Sequence, residues 1–171
     1  MTGEIINKVS ESGIVTLDLA DFYPKQEIKV FDLKDYLFMG LILKEKDYRA
    51  ALQTTDWTIY QDKNVCINCS ADAIIPMWAY MLAASYLQPV AVNVVFGNEQ
   101  NLIETQISQA INNINIDEYT DKRIVVKGCG EVDIPASAYV AITHKLKPVA
   151  KSIMYGEPCS TVPIYKKAIA K

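Results

Sequence analysis

The sequence predicts an α/β fold: a mostly parallel sheet built from two tandem β-α-β repeats, with an N-terminal β-hairpin and short helices ahead of them. Three observations predict it. The chain repeats itself, since a shift of 59 positions carries Tyr60–Gly97 onto Tyr119–Gly156 with roughly a third of the paired residues identical. Matches include Tyr60, Asp62 and Lys63 with Tyr119, Asp121 and Lys122, and Pro89-Val90-Ala91 with Pro148-Val149-Ala150. Short apolar runs alternate with longer helix-periodic stretches, the pattern of βαβ units. The chain has 171 residues, half of them hydrophobic, enough for one domain with a real core.

Taken in order, Ile14-Val15-Thr16-Leu17-Asp18-Leu19 alternates apolar and polar residues as a half-buried strand does. Ile28–Leu33 begins the same way after a polar link, and the two together read as a β-hairpin or two edge strands. Leu33–Met39 reads as a short helical turn closed by Gly40. Lys44–Gln53 is a helix, with Tyr48, Ala51 and Leu52 on one face. Asn64–Asn68 is a short buried strand. Pro76 suits a helix start, where its missing N–H is not needed, and the helix ends at Gln88, before Pro89. Asn93–Phe96 is a strand, Leu102–Ile114 an amphipathic helix, Arg123–Lys127 a strand and Pro135–Lys147 a helix. Periodicity alone would extend that last helix through Ser152–Tyr155. The repeat makes this stretch a strand instead, because its counterpart is Asn93–Phe96. The expected organisation is one domain over 1–171: a hairpin segment 1–40, repeat one over 41–98, repeat two over 100–157 and a C-terminal tail 158–171.

Composition narrows the function classes. Net charge is −3 with both signs interspersed, so no basic stripe collects phosphate and nucleic acid is not an expected partner. Lys166, Lys167 and Lys171 read as a solvated tail. The N-terminus shows no secretory signal, and the most apolar window, Ala73–Leu87, is too short for a bilayer. The expectation is a cytoplasmic protein without membrane contact, in which disulfides are not the default. Met77–Ala84 carries no charged residue, so both sides of that helix need cover. The N-terminal hairpin segment is the expected cover, and a homodimer is the alternative.

The four cysteines carry the functional expectation. In a parallel sheet, the loops leaving the strands share the carboxyl edge, where ligands of open α/β sheets bind. Cys69, Cys129 and Cys159 each follow a strand, and neighbouring strands lie only about 4.8 Å apart. With a carboxylate from Asp72 or Glu131, three thiolates suit zinc or an iron–sulfur cluster, although the spacing matches no standard ligand motif. Alternatively Cys69 or Cys129 is a nucleophilic or redox thiol, with Lys127 near the latter in sequence. A third alternative is a binding or assembly module in which the cysteines are incidental; the small-molecule ligand is unknown. Cys66 completes a C-x-x-C with Cys69, but positions three apart on a strand face opposite ways, so Cys66 reads as core. His144, the only histidine, falls late in its helix and away from that edge. Tyr80 and Tyr139 read as equivalent packing residues. Strand order decides convergence: 2-1-3-4 puts Cys69 beside Cys129, whereas 1-2-3-4 separates them.

The strings LILKEKDYR, CSADAIIPMWAYML, VVKGC and KSIMYGEPCSTVPIYK resemble a bacterial family catalogued as domain of unknown function 2480. The likeness covers nearly the whole chain. It implies no established reaction; its motif positions fall on Cys69, Asp72, Cys129, Glu157 and Cys159, and leave Cys66 out.

Overall fold

The structure, a computed structural model, describes residues 13–128, 130, 132–157 and 159–168. Cys129 and Glu131 therefore lie outside the described residues. Among the described residues, seven strands and four α-helices follow one another: β1 (Ile14–Asp18), β2 (Ile28–Asp32), α1 (Glu45–Thr54), β3 (Asn64–Asn68), α2 (Met77–Leu87), β4 (Asn93–Phe96), α3 (Glu99–Asn113), β5 (Arg123–Lys127), α4 (Ala136–Leu146), β6 (Ser152–Glu157) and β7 (Ser160–Lys166). Short 3-10 turns follow β1 and β2 and precede β3 and β5. The α/β class and the mostly parallel pairing are as expected, and Ser152–Tyr155 is a strand. None of the described helices is long and apolar enough to cross a membrane.

The strands form two sheets, not one. β2-β3-β4 makes a three-stranded sheet and β1-β5-β6-β7 a four-stranded one. Two compact units result: an inner one, Pro24–Thr105, and an outer one from Met1–Tyr23 with Gln106–Lys171, so named for their places in the sequence. The two N-terminal strands do not pair as a hairpin; they are edge strands, one in each sheet, the other arrangement expected of them. β1 runs parallel to β5, with Ile14 opposite Arg123, and β2 runs parallel to β3, with Ile28 opposite Asn64. The physical reason is local. Each strand ends in an aspartate whose carboxylate accepts the N–H two residues on, Asp18 from Ala20 at 3.0 Å and Asp32 from Lys34 at 2.9 Å. That cap starts a 3-10 turn, so neither connection is the two-residue glycine turn that a tight hairpin prefers.

The same backbone bonds recur 59 positions apart: Asp62 N–H to Val90 O (3.0 Å) and Asp121 N–H to Val149 O (2.9 Å), Val92 N–H to Lys63 O (2.8 Å) and Lys151 N–H to Lys122 O (2.9 Å). Asp62 and Asp121 share a left-handed backbone, with φ of 58° and 54°. β1 and β2 are related in the same manner. Asp18 has φ −96° and ψ 115°, Asp32 φ −95° and ψ 116°.

In the inner unit, β3 is central and its residues Asn64–Ile67 are all buried, as a strand covered on both faces requires. Cys66 is fully buried there, and burial pushes its thiol up, with Glu99 adding to the effect. The core gathers Phe31, Leu33, Tyr48, Leu52, Val65, Ile67, Ala79, Ala83 and Leu87. Cover for α2 comes from α1, not from a hairpin. The buried Tyr48 hydroxyl donates to the Ala79 carbonyl at 3.2 Å, and its ring stands 6.1 Å from that of Trp78. Ile74, Met77 and Met81 remain exposed. In the outer unit, Leu17, Ile124, Val126, Ile142, Leu146 and Ile153 are buried. The expected solvated tail is β7, antiparallel to β6, with Ser160 opposite Glu157. Its alternation of Thr, Val, Ile and Tyr is strand-forming, and Lys166 is its last residue.

Glu27, just before β2, is ion-paired with Lys29 at 2.7 Å and with Lys63. The bond from Lys29, then that from Lys63, draws its carboxyl from 4.5 down to about 2. The folded value lies below the unfolded one, so its stabilising contribution exists above the unfolded value. It is lost as pH falls from about 4.5 towards 2. Glu27→Gln is expected to lower inner-unit stability at neutral pH, where the contribution is fully present, and to flatten the acid limb of unfolding between about pH 4.5 and 2, measured by tryptophan fluorescence. An unchanged acid limb counts against it.

Candidate functional site

Each sheet delivers its strand ends to a carboxyl edge, and the two edges share a frame. A strand-end aspartate stands on one side (Asp32 inner, Asp18 outer). A tyrosine occupies the first turn of the following helix in each unit (Tyr80, Tyr139). Its ring meets edge-on an aromatic ring near the end of the third strand: Tyr80 with Phe96 at 5.3 Å, and Tyr139 with Tyr155 at 5.7 Å. Third strands reach a left-handed glycine in both units, Gly97 with φ 117° and Gly156 with φ 119°.

The groups set on that frame differ. At the inner edge, Asp32 accepts the Ser70 N–H at 3.0 Å. Partial burial raises the Asp32 carboxyl, but bonds from Ser70 and the Lys34 N–H outweigh it and the net shift is downward. Asn68 donates to the Gly97 carbonyl at 3.3 Å, while its Oδ1 is buried without a partner among the described residues. The half-buried Cys69 thiol donates to the Ala71 carbonyl at 3.6 Å. Tyr80 is raised chiefly by burial, then by the neighbouring Cys69 and Asp32.

At the outer edge, Asp18 and Lys127 are register partners on adjacent strands, joined by a 2.9 Å ion pair. Both side chains are about a quarter exposed, 25% and 29%. Burial raises the Asp18 carboxyl, yet bonds from Lys127 and the Ala20 N–H bring it below its usual range. Lys127 is raised, first by its bond to Asp18, then by the charges of Asp18 and Glu157. It therefore stays an ammonium at neutral pH and is no candidate for a neutral catalytic amine. Gly128 follows. A Cβ there would collide with the Tyr139 hydroxyl, so any larger residue would require that phenol to move from the exit of β5. Beside it, Val126, Tyr139, Thr143, Ile153, Tyr155 and Ile164 line a mostly apolar cleft of about 240 Å³. Glu157 ends β6, and the exposed Cys159 occupies the turn into β7.

The expected single-sheet arrangement of the three cysteines is thus corrected. Cys69 follows β3 in one sheet, whereas Cys159 follows β6 in the other. Neither proposed strand order applies, because β1 and β2 supply each repeat with a third strand and each closes its own sheet. Asp72 is exposed in the inner unit. Among the described residues, no three His, Cys, Asp or Glu side chains form a group able to hold a metal ion. His144 is exposed in the last turn of α4, and Cys66 is core, both as expected. Asp18, Asp32 and Lys127 were not legible as edge residues, although Asp-Leu at 18–19 and again at 32–33 carries the signal.

No curated protein and no solved structure matches this chain. One family model, described as "Protein of unknown function (DUF2480)", matches residues 3–167. With nearly the whole sequence covered by that match, the chain belongs to the DUF2480 family of proteins of unknown function.

Proposed function

We propose that the protein carries a reactive-thiol ligand site at the carboxyl edge of the β1-β5-β6-β7 sheet. The observation that supports this most is the Gly128–Tyr139 approach, which holds a phenol at the exit of the central strand, one residue before Cys129 in sequence. β5 and β6 are hydrogen-bonded neighbours, and each is followed two residues later by a cysteine, Cys129 and Cys159. The ammonium of Lys127 favours a thiolate placed near it. The phenol of Tyr139 serves as a polar handle for a bound ligand, and the adjoining cleft suits a small apolar group. Cys69 is set aside as nucleophile because its thiol donates to the Ala71 carbonyl. The described cysteines are free thiols, which fits a reducing compartment such as the cytoplasm.

Alkylation kinetics on anaerobically purified protein, resolved by peptide mass spectrometry, test this. Cys129 or Cys159 is expected to react several-fold faster than free cysteine at neutral pH, and Cys69 slower. Rates at or below that of free cysteine for both outer-unit thiols would sink the proposal. Metal analysis of the same samples separates the zinc or iron–sulfur alternative. Stoichiometric metal lost in Cys129→Ser and Cys159→Ser, but kept in Cys69→Ser, would replace the thiol site by a metal site.

A further inference from the structure

The opposite, amino edge of the four-stranded sheet carries a second site that owes nothing to the cysteines. Register places Ile14, Arg123, Ser152 and Lys166 in one row across β1, β5, β6 and β7. Side chains directly opposite one another across strands stand on the same face. A cleft of about 570 Å³ opens there, walled by the cations Arg123, Lys151, Lys166 and Lys167. Its apolar lining comes from Ile14, Met154, Pro163 and Tyr165, and Ser152 adds a hydroxyl. Among the described residues Lys167 alone of the four cations is ion-paired, to Asp121 at 2.9 Å. The Lys147 ammonium adds to the positive field, 5.8 Å from the centre of the Tyr165 ring. Four cations against one carboxylate make a local positive field in a chain whose net charge is −3.

The inner unit shows what these positions do when they are only structural. Asn64 and Asn93 are partners in β3 and β4, as Arg123 and Ser152 are in β5 and β6. The Asn93 amide donates to Asn64 at 2.9 Å, Asn64 donates to the Gln26 carbonyl at 3.3 Å, and Asn64 is fully buried. That edge is closed by its own amides. In the outer unit an exposed arginine replaces the asparagine, and β7, which has no inner counterpart, brings Lys166, with Lys167 just after it.

We propose that this cleft binds a small organic anion, a phosphate monoester carried on a planar or apolar body. The guanidinium of Arg123 offers a paired donor fork to a phosphate, the lysines add charge, and the apolar lining with Tyr165 takes the body. The volume lies within the range of small-molecule sites. Adenosine 5′-monophosphate, inorganic phosphate, adenosine and a short single-stranded RNA are the probes, titrated into the full chain by calorimetry. Adenosine monophosphate is expected to bind, more weakly as salt is raised. Arg123→Gln and Lys166→Gln should each weaken it about tenfold, the scale of one lost charge-assisted bond. Asp121→Asn should leave binding as tight or tighter, and Arg49→Gln, in the inner unit, should not change it. Both cleft variants alter exposed side chains, and their circular dichroism melts check that the fold is kept. The proposal is overturned if the nucleotide does not bind at millimolar concentration, or if adenosine binds as well. Inorganic phosphate binding as tightly as the nucleotide, or the RNA binding while the mononucleotide does not, overturns it equally.

Discussion

Tyr48→Ala is expected to cost the inner unit about 3–5 kcal/mol, the scale of removing a large aromatic side chain from a packed core. Tyr48 is fully buried on α1, and its ring lies edge-on to Tyr36 at 5.2 Å and 6.1 Å from Trp78. Its hydroxyl ties α1 to the first turn of α2, and burial holds the phenol well above its ordinary range, so it remains a donor throughout the working pH range. Tyr48→Phe removes that bond alone and should cost about 1 kcal/mol. Both tryptophans, Trp57 and Trp78, belong to the inner unit, so urea unfolding followed by tryptophan fluorescence reads this unit selectively. A loss under about 1 kcal/mol for the alanine variant would show that the aromatic cluster is not what holds α1 against α2.

Gly156→Ala is expected to cost about 3 kcal/mol, concentrated in the β6–β7 hairpin. The backbone sits at φ 119°, a conformation that side-chain-bearing residues rarely adopt, and an added Cβ would stand 2.5 Å from the Ser160 carbonyl oxygen. That oxygen belongs to the paired strand, so relief requires moving backbone. Gly97 gives the internal control. It has φ 117°, but the obstacle is the Asn101 side chain, which can rotate away at the cost of its bond to the Asn98 N–H. Hydrogen exchange should show β6–β7 amides opening in Gly156→Ala by a clearly larger factor than β4 amides in Gly97→Ala. Equal effects would remove the distinction between a backbone and a side-chain obstacle.

These two sites mark the limit of what a repeat in the sequence conveys. Matching letters located β3 to β6 with their true bounds to within a few residues, and made a strand of Ser152–Glu157 where helical periodicity alone runs on. Fixed backbone requirements explain this success. Pro76 and Pro135 stand at equivalent helix starts, and Gly97 and Gly156 at equivalent strand exits. The partners of those strands were not legible. β1 and β2 carry the same local signals, alternation followed by Asp-Leu, and each is equally suited to either central strand. Pairing across roughly a hundred residues, as between Ile14 and Arg123, leaves no periodic trace.

Residue chemistry at the strand ends was therefore determined by the sequence: thiols at Cys69, Cys129 and Cys159, a buried Cys66, and a parallel α/β framework to present them. Tertiary structure alone decided which ends share an edge. It put Cys69 in a different sheet from Cys159, paired Asp18 with Lys127, and turned an apparent tail into a strand that places Lys166 in one row with Arg123. The physical reason is that secondary structure is dictated by neighbours along the chain, whereas sheet membership is dictated by which apolar faces and unpaired backbone groups meet after the chain folds back. Only the second of these determines where charges and thiols converge.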